Sequence, residues 1–221
     1  MDPTHHALLF ALLAREAIAA AGRRRGERII RAATRRYGAQ RGRRMAQRAR
    51  AAGHEPTMTS YLGFGEYRIP EGLAVSRMSQ GRAGVELVVT RCPWFETWSG
   101  EGLEPYGRLY CLEIDRAVLA GFNPGLELEV RATLATGADR CTFLFPGARL
   151  ARPREDAALG WDYHAGHLYK TLREGLVEEL GQEGARAAGR ALEELGLRRG
   201  AGAARAVSSR LEVDFDLVPG A

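Results

Sequence analysis

Between residues 126 and 131 the chain alternates Leu126, Leu128 and Val130 with Glu127, Glu129 and Arg131. A period of two suits a strand with one buried and one wetted face. Helical spacing brackets this stretch on both sides, so a sheet must be covered by helices that lie before and after it in the chain. At the start, Leu8, Leu9, Leu12, Leu13 and Ile18 recur at helical spacing from Thr4 to about Ala21, and Gly22 supplies a stop. A second helix is expected from Arg24 to about Ala51 on Ile29, Ile30, Ala33, Tyr37 and Met45, weakened by Gly38 and Gly42.

The middle of the chain supplies the remaining strands. Leu73–Ser79, a turn over Gln80–Gly84 and Val85–Arg91 read as one hairpin. Leu126–Leu134, a turn over Thr136–Asp139 and Cys141–Phe145 read as another. Between them a short helix starts at Pro93, and a longer one, Pro105–Ala120, is closed by the breakers Gly121, Asn123, Pro124 and Gly125. Helices over Trp161–Leu180 and Glu183–Leu197 follow, and the alternation of Leu211, Val213, Phe215 and Leu217 predicts a final strand. The expected fold is α+β: a mostly antiparallel sheet of about five strands packed with helices, after an N-terminal helical arm. The arm would span 1–53 and the α+β domain 54–221, together one continuous globular body.

Charge is unevenly placed. Up to Gly53 there are thirteen arginines against Asp2, Glu16 and Glu27, a local net of +10, so the rest of the chain is acidic although the whole carries +5. Clustered arginine is what phosphate contact requires, but no helix-turn-helix, finger or RNA-binding signature accompanies it. A solvated face, or an interface with the acidic part of another copy in a homo-oligomer, is the expectation instead. The apolar run Ala7–Ala14 is far shorter than a membrane span needs and is followed by Arg15 and Glu16. Three cysteines without CxxC spacing indicate neither a disulfide framework nor a zinc ribbon, and thiols of this kind fit the cytoplasm.

The reactive residue types concentrate in a few places. Cys92 ends a strand, and the following Pro93 is a residue favoured at the first helical position, which would set the Cys92 thiol at a helix N-terminus where a thiolate is stabilised. A small buried apolar role is the alternative. Cys111 and Asp115, four apart on the expected Pro105–Ala120 helix, would share a face. A carboxylate there raises a neighbouring thiol's pKa, which argues against Cys111 as a nucleophile. Cys141, inside a strand, reads as structural. In Trp161–Tyr169, His164 lies on an inward path with Leu168 and Leu172, and His167 follows one turn on. Either histidine could act as acid or base, or sit hydrogen-bonded in the core. An H-x-x-H pair without a third ligand is a weak metal signal.

Four stretches taken together resemble the L-2-amino-thiazoline-4-carboxylic acid hydrolase family: Arg91-Cys92-Pro93-Trp94-Phe95, Gly107 to Asp115, Gly121 to Leu126, and Gly137 to Phe143. Trp161–Tyr169 is similar too. The resemblance implies hydrolytic opening of a cyclic amidine, 2-amino-thiazoline-4-carboxylate or a related ring, with no cofactor required. It implies roles as well: Cys92 attacks the amidine carbon or orients the water that does, and His164 or His167 shuttles the proton. Asp115 pairs with the amidinium, Asn123 donates a hydrogen bond, and Cys111 lies on the substrate-binding side. The competing class is a non-catalytic domain that holds a small molecule, haem or metal.

Overall fold

The computed structural model describes residues 1–219. The chain divides into two compact units, each assembled from three separate stretches: Met1–Tyr37, Pro93–Glu113 and Gly160–Val213 form the first, and Gly38–Cys92, Ile114–Leu159 and Asp214 onward form the second.

The first unit is helical. It holds α1 (Pro3–Ala21), the first half of α2 (Arg23–Ala51), α4 (Pro93–Glu101), α5 (Glu104–Cys111), α7 (Trp161–Leu180), α8 (Gln182–Arg199) and α9 (Ala201–Ser208). Asp2 caps α1 by accepting the Thr4 N–H at 2.8 Å, and Pro3 takes the first turn, where a missing donor costs nothing. Every residue from Ala7 to Ala14 is fully buried, and α1 packs on α8, α4, α7 and α5. Within the expected N-terminal arm, α1 is the centre of this unit, because a helix apolar on nearly all its faces is stable only in an interior.

The second unit contains the rest of α2, α3 (Met58–Gly63), α6 (Ile114–Phe122) and one antiparallel sheet of four strands, β1 (Val75–Gln80), β2 (Gly84–Arg91), β3 (Glu129–Ala132) and β4 (Cys141–Pro146), in the order β1-β2-β4-β3. The register pairs Val85 with Phe145, Leu87 with Phe143 and Val89 with Cys141, so these six side chains share one face. That face buries Met58 and Leu62 of α3 and Leu119 of α6, with Tyr61 packed against them. The strand β1 is exposed along its whole length.

The sheet has four strands among the described residues, against about five expected. Residues 209–217 form turns after α9. Their alternation is real, but side-chain cations take the carbonyls a ladder would use: Lys170 Nζ donates to Val213 O at 2.9 Å in the first unit, and Arg44 Nη1 to Phe215 O in the second. The expected Pro105–Ala120 helix is also two helices. After Cys111 the backbone tightens into an i to i+3 bond, Glu113 N–H to Tyr110 O at 3.1 Å, and α6 begins anew at Ile114.

In contrast, α2 runs unbroken for 29 residues through both of its weak points. A Cβ at Gly42 would fall 2.0 Å from Val118 O and one at Gly38 2.6 Å from Ala117 Cβ, while one at Gly121 would fall 2.2 Å from Ala39 O. The glycines that cost α2 propensity are where α6 lies backbone to backbone against it. Most of its arginines meet a carboxylate within their own unit. Glu113 takes Arg31 at 2.6 Å and Arg35 at 3.0 Å, and Glu178 takes Arg36 at 2.8 Å, in the first. In the second, Asp216 takes Arg43 at 2.6 Å. No described helix is long and apolar enough to cross a membrane.

Candidate active site

In the second unit Asp115 lies in the first turn of α6, one turn before Leu119, and so shares the stripe that meets the sheet. It keeps partial exposure, yet the packing around it dominates: desolvation pushes its carboxyl up to about 6 against the weaker opposing pull of Arg41 and Arg116. Tyr61, on α3, packs its ring on Phe122 and Phe145 at centroid distances of 5.5 and 6.2 Å. Burial first, and the charge of Asp115 second, raise the Tyr61 hydroxyl above its ordinary value, with Arg41 opposing. Cys141 enters the same core from β4. Burial raises its thiol, the Leu134 N–H donated to its Sγ at 3.3 Å lowers it, and Asp115 raises it again. Asp115, Tyr61 and Cys141 thus form one electrostatically connected group, in which the carboxyl can take or give a proton near neutral pH.

Beside this group α2 carries Arg41, Arg44 and Arg48 at i, i+3 and i+7, all turned to the wholly buried Glu66. Arg44 holds both carboxylate oxygens at 3.1 and 3.0 Å, Arg48 Nη1 reaches one at 2.8 Å, and Arg41 Nε reaches the other at 3.3 Å. The Arg41 guanidinium also lies 3.7 Å above the centre of the Tyr67 ring.

The other residues singled out from sequence fall as follows. Cys92 is the last residue of the second unit, between β2 and Pro93, the opening residue of α4, as the proline suggested, and it is partly exposed. Cys111 ends α5 in the first unit, whereas Asp115 starts α6 in the second, so the shared helical face expected of them does not exist. Asn123 follows α6 as a turn-builder: its Nδ2 donates to Pro56 O at 2.8 Å and its Oδ1 accepts the Gly125 N–H at 2.9 Å.

His164 and His167 are both fully buried on α7 in the first unit. The sequence reading missed their companion His6, equally buried on α1. The Trp94 indole can only donate, and its Nε1–H reaches His6 Nδ1 at 3.1 Å. Neutral His6 then carries its proton on Nε2 and donates to Tyr37 Oη at 3.0 Å. The rings of Tyr37, Trp94, Tyr110 and Trp161 stand 5.6–6.0 Å from it, and Tyr37 in turn lies 4.5 Å from His167. The available signal was spacing: His6 precedes Leu9, Phe10 and Leu13 by three, four and seven residues, on the buried side of α1.

Among the described residues no group of three or more His, Cys, Asp or Glu side chains is arranged to hold a metal ion. A groove of about 310 Å³ in the second unit, lined by His54, Thr59, Ser60, Phe64, Arg152 and Arg154 among others, includes none of Asp115, Tyr61 and Cys141. Compared with known proteins, residues 3–145 match the family model described as L-2-amino-thiazoline-4-carboxylic acid hydrolase, a match that takes in α1 and α2 as well as the cysteine motifs. No curated relative and no solved structure matches the chain.

Proposed function

Since the chain belongs to the L-2-amino-thiazoline-4-carboxylic acid hydrolase family, we propose that it opens a small cyclic amidine carrying a carboxylate, 2-amino-thiazoline-4-carboxylate or a close analogue, by adding water across the ring C–S bond. The observation that carries this reading is Asp115, a carboxyl set near 6 by burial on the wall of a compact core, with a partly accessible edge. A group with that affinity for protons is mostly ionised at neutral pH and still exchanges protons readily, as a general base must.

The amidine carbon lies between two nitrogens and a sulfur. Water adds its oxygen to that carbon while ionised Asp115 accepts the departing proton. The tetrahedral adduct passes its hydroxyl proton to the ring nitrogen and collapses to the carbonyl, the C–S bond breaks, and Asp115 returns the other proton to the leaving sulfur. One water is consumed, and the product is an N-carbamoyl amino acid bearing a new thiol. In the covalent variant the Cys92 sulfur adds first, the ring sulfur leaves, and water then releases the enzyme thiol. Its place ahead of α4 favours a thiolate there more than at Cys141, which is buried and faces the charge of Asp115. The reading gives the proton to Asp115 and leaves His164 and His167 to the core of the helical unit. It places the reaction in the cytoplasm, where the unbridged thiols of the chain would stay reduced.

The test is mass spectrometry of the full chain incubated with 2-amino-thiazoline-4-carboxylate. The expected result is a gain of one water in the substrate, lost in Asp115→Asn, and a rate that falls as pH drops through about 6. An adduct on Cys92 marks the covalent route, and full activity in both Cys92→Ala and Cys92→Ser removes that residue. No turnover by a folded protein, or undiminished turnover in Asp115→Asn, overturns the reading.

A further inference from the structure

We infer that the groove beside α3 is a binding site for a small zwitterion, a molecule such as an α-amino acid that carries a carboxylate and a protonated nitrogen a few bonds apart. The inference goes beyond the hydrolase reading and does not depend on it. Helical spacing gives α3 two faces: Met58, Tyr61 and Leu62 meet the sheet, whereas Thr59, Ser60 and Gly63 line the groove. The groove is thus separated by α3 from the core that Tyr61 enters, within the same unit. Its two walls are residues 54–64 and 151–154, and the chain ties them together. The Arg154 N–H donates to Gly63 O at 2.8 Å, and just ahead of the second wall the Arg149 N–H donates to Thr59 Oγ1 at 3.0 Å. A cavity of about 310 Å³ is at the small end of the range that ligand sites occupy, roughly 300–1,000 Å³. Walls set before a ligand arrives lower the ordering cost of binding it.

Charge decides the class of ligand. Each wall brings one charged side chain that nothing in the chain neutralises, Glu55 on the first and Arg152 on the second. Among the described residues neither charged group makes an ion pair or a hydrogen bond, and they do not pair with each other. The third charge in the lining, Arg154, is already committed: its Nε and Nη2 hold Asp156 at 3.0 and 2.7 Å. An anion alone would be drawn to Arg152 and repelled by Glu55, and a cation alone would meet the reverse. A molecule with both charges satisfies both walls. Phe64, which is buried, adds apolar surface, its ring T-shaped to His54 at a centroid distance of 5.5 Å and 5.2 Å from the Arg154 guanidinium. An apolar side chain on the zwitterion is thereby matched as well.

The experiment is titration of the isotope-labelled full chain with L-leucine, followed by two-dimensional NMR. Saturable amide shifts are expected at Thr59, Ser60, Gly63 and Arg152. N-acetyl-L-leucine, which lacks the ammonium, and L-leucine methyl ester, which lacks the carboxylate, should each bind about 10-fold more weakly, the loss expected when one charge-assisted contact goes. Arg152→Gln should bind leucine no better than its ester, and Glu55→Gln should bind it no better than the N-acetyl form. Both side chains are exposed, so neither change should disturb the fold. A parallel titration with 2-amino-thiazoline-4-carboxylate, which has a carboxylate and a basic nitrogen, distinguishes the sources. Shifts of the same amides by that acid alone name the substrate as the occupant, and shifts by leucine name a free amino acid. No saturable shift with either, equal binding of leucine and its two analogues, or an unaltered order of affinities in the two variants overturns the site.

Discussion

Glu66 and Asp115 lie in the same unit, each at the edge of the same helix α2, and their surroundings could hardly differ more. Glu66 is wholly buried and receives hydrogen bonds from three guanidiniums. Asp115 is less deeply placed, but it faces a core of Tyr61, Cys141 and apolar side chains and feels Arg41 and Arg116 only through space. Full pairing makes a buried carboxylate a clamp. Incomplete pairing leaves its proton affinity raised, and with it the capacity for acid–base work. One unit thus contains a carboxylate committed to holding α2 and another whose proton affinity burial keeps raised.

The contrast can be broken at several points. Glu66→Ala should have the largest effect: it strands three guanidiniums in the interior, and chemical denaturation should show a loss of about 3–5 kcal/mol. Next comes Gly42→Ala, whose methyl would meet Val118 O at 2.0 Å. Pushing α6 from α2 should cost about 1–3 kcal/mol, and because it admits water to Asp115, NMR titration should find that carboxyl closer to its ordinary range. Asp115→Asn should act with the opposite sign. Burial holds the folded carboxyl near 6 against 3.8 for an ordinary aspartate, so the proton is held more tightly in the folded chain. The wild type therefore loses stability as pH rises from about 4 through about 6, on the order of 3 kcal/mol in full. The Asn variant should be more stable than wild type by that amount above pH 6 and no more stable below pH 4, as thermal melts at both pH values would show. The smallest effect is expected of Arg116→Gln, a surface change within about 0.5 kcal/mol of wild type, with the Asp115 carboxyl raised slightly further.

The sequence was most readable where local pattern and tertiary contact agree. The helix α7 has the expected bounds, Trp161–Leu180, because its buried stripe ends at Gly181, and β2 and β4 lie within one residue of expectation. Cys92 ahead of α4 was visible because Pro93 marks a helix start. Where the two disagree, pattern misled. Nothing in the composition between Arg108 and Ala120 marks the break at Leu112–Glu113, since no glycine or proline makes it. The alternation at 211–217 is a strand pattern without an available neighbour. Gly38 and Gly42 lower helix propensity locally, but their reason for being there is α6, some 75 residues on, which no window along the chain includes. The candidate site was half legible for the same cause: Asp115 could be picked out by its neighbours in sequence, whereas Tyr61, Arg41 and Glu66 reach the second unit's core from distant stretches.

The bond from Arg44 to the carbonyl of Phe215 joins positions 171 apart, and it bears on the order in which this chain can acquire its structure. The first unit draws its interior from three stretches, of which the last ends at Val213, and the second begins again at Asp214. Neither can close around its core while the ribosome is still short of those residues, although α1, the most apolar of the described helices, lies far ahead of them in the chain. The chain must therefore carry a sticky helix unprotected until those later stretches have been made. High mean contact separation then slows its burial once synthesis has passed those positions. A chaperone that shields the first helix should raise the yield of folded protein more than any surface substitution.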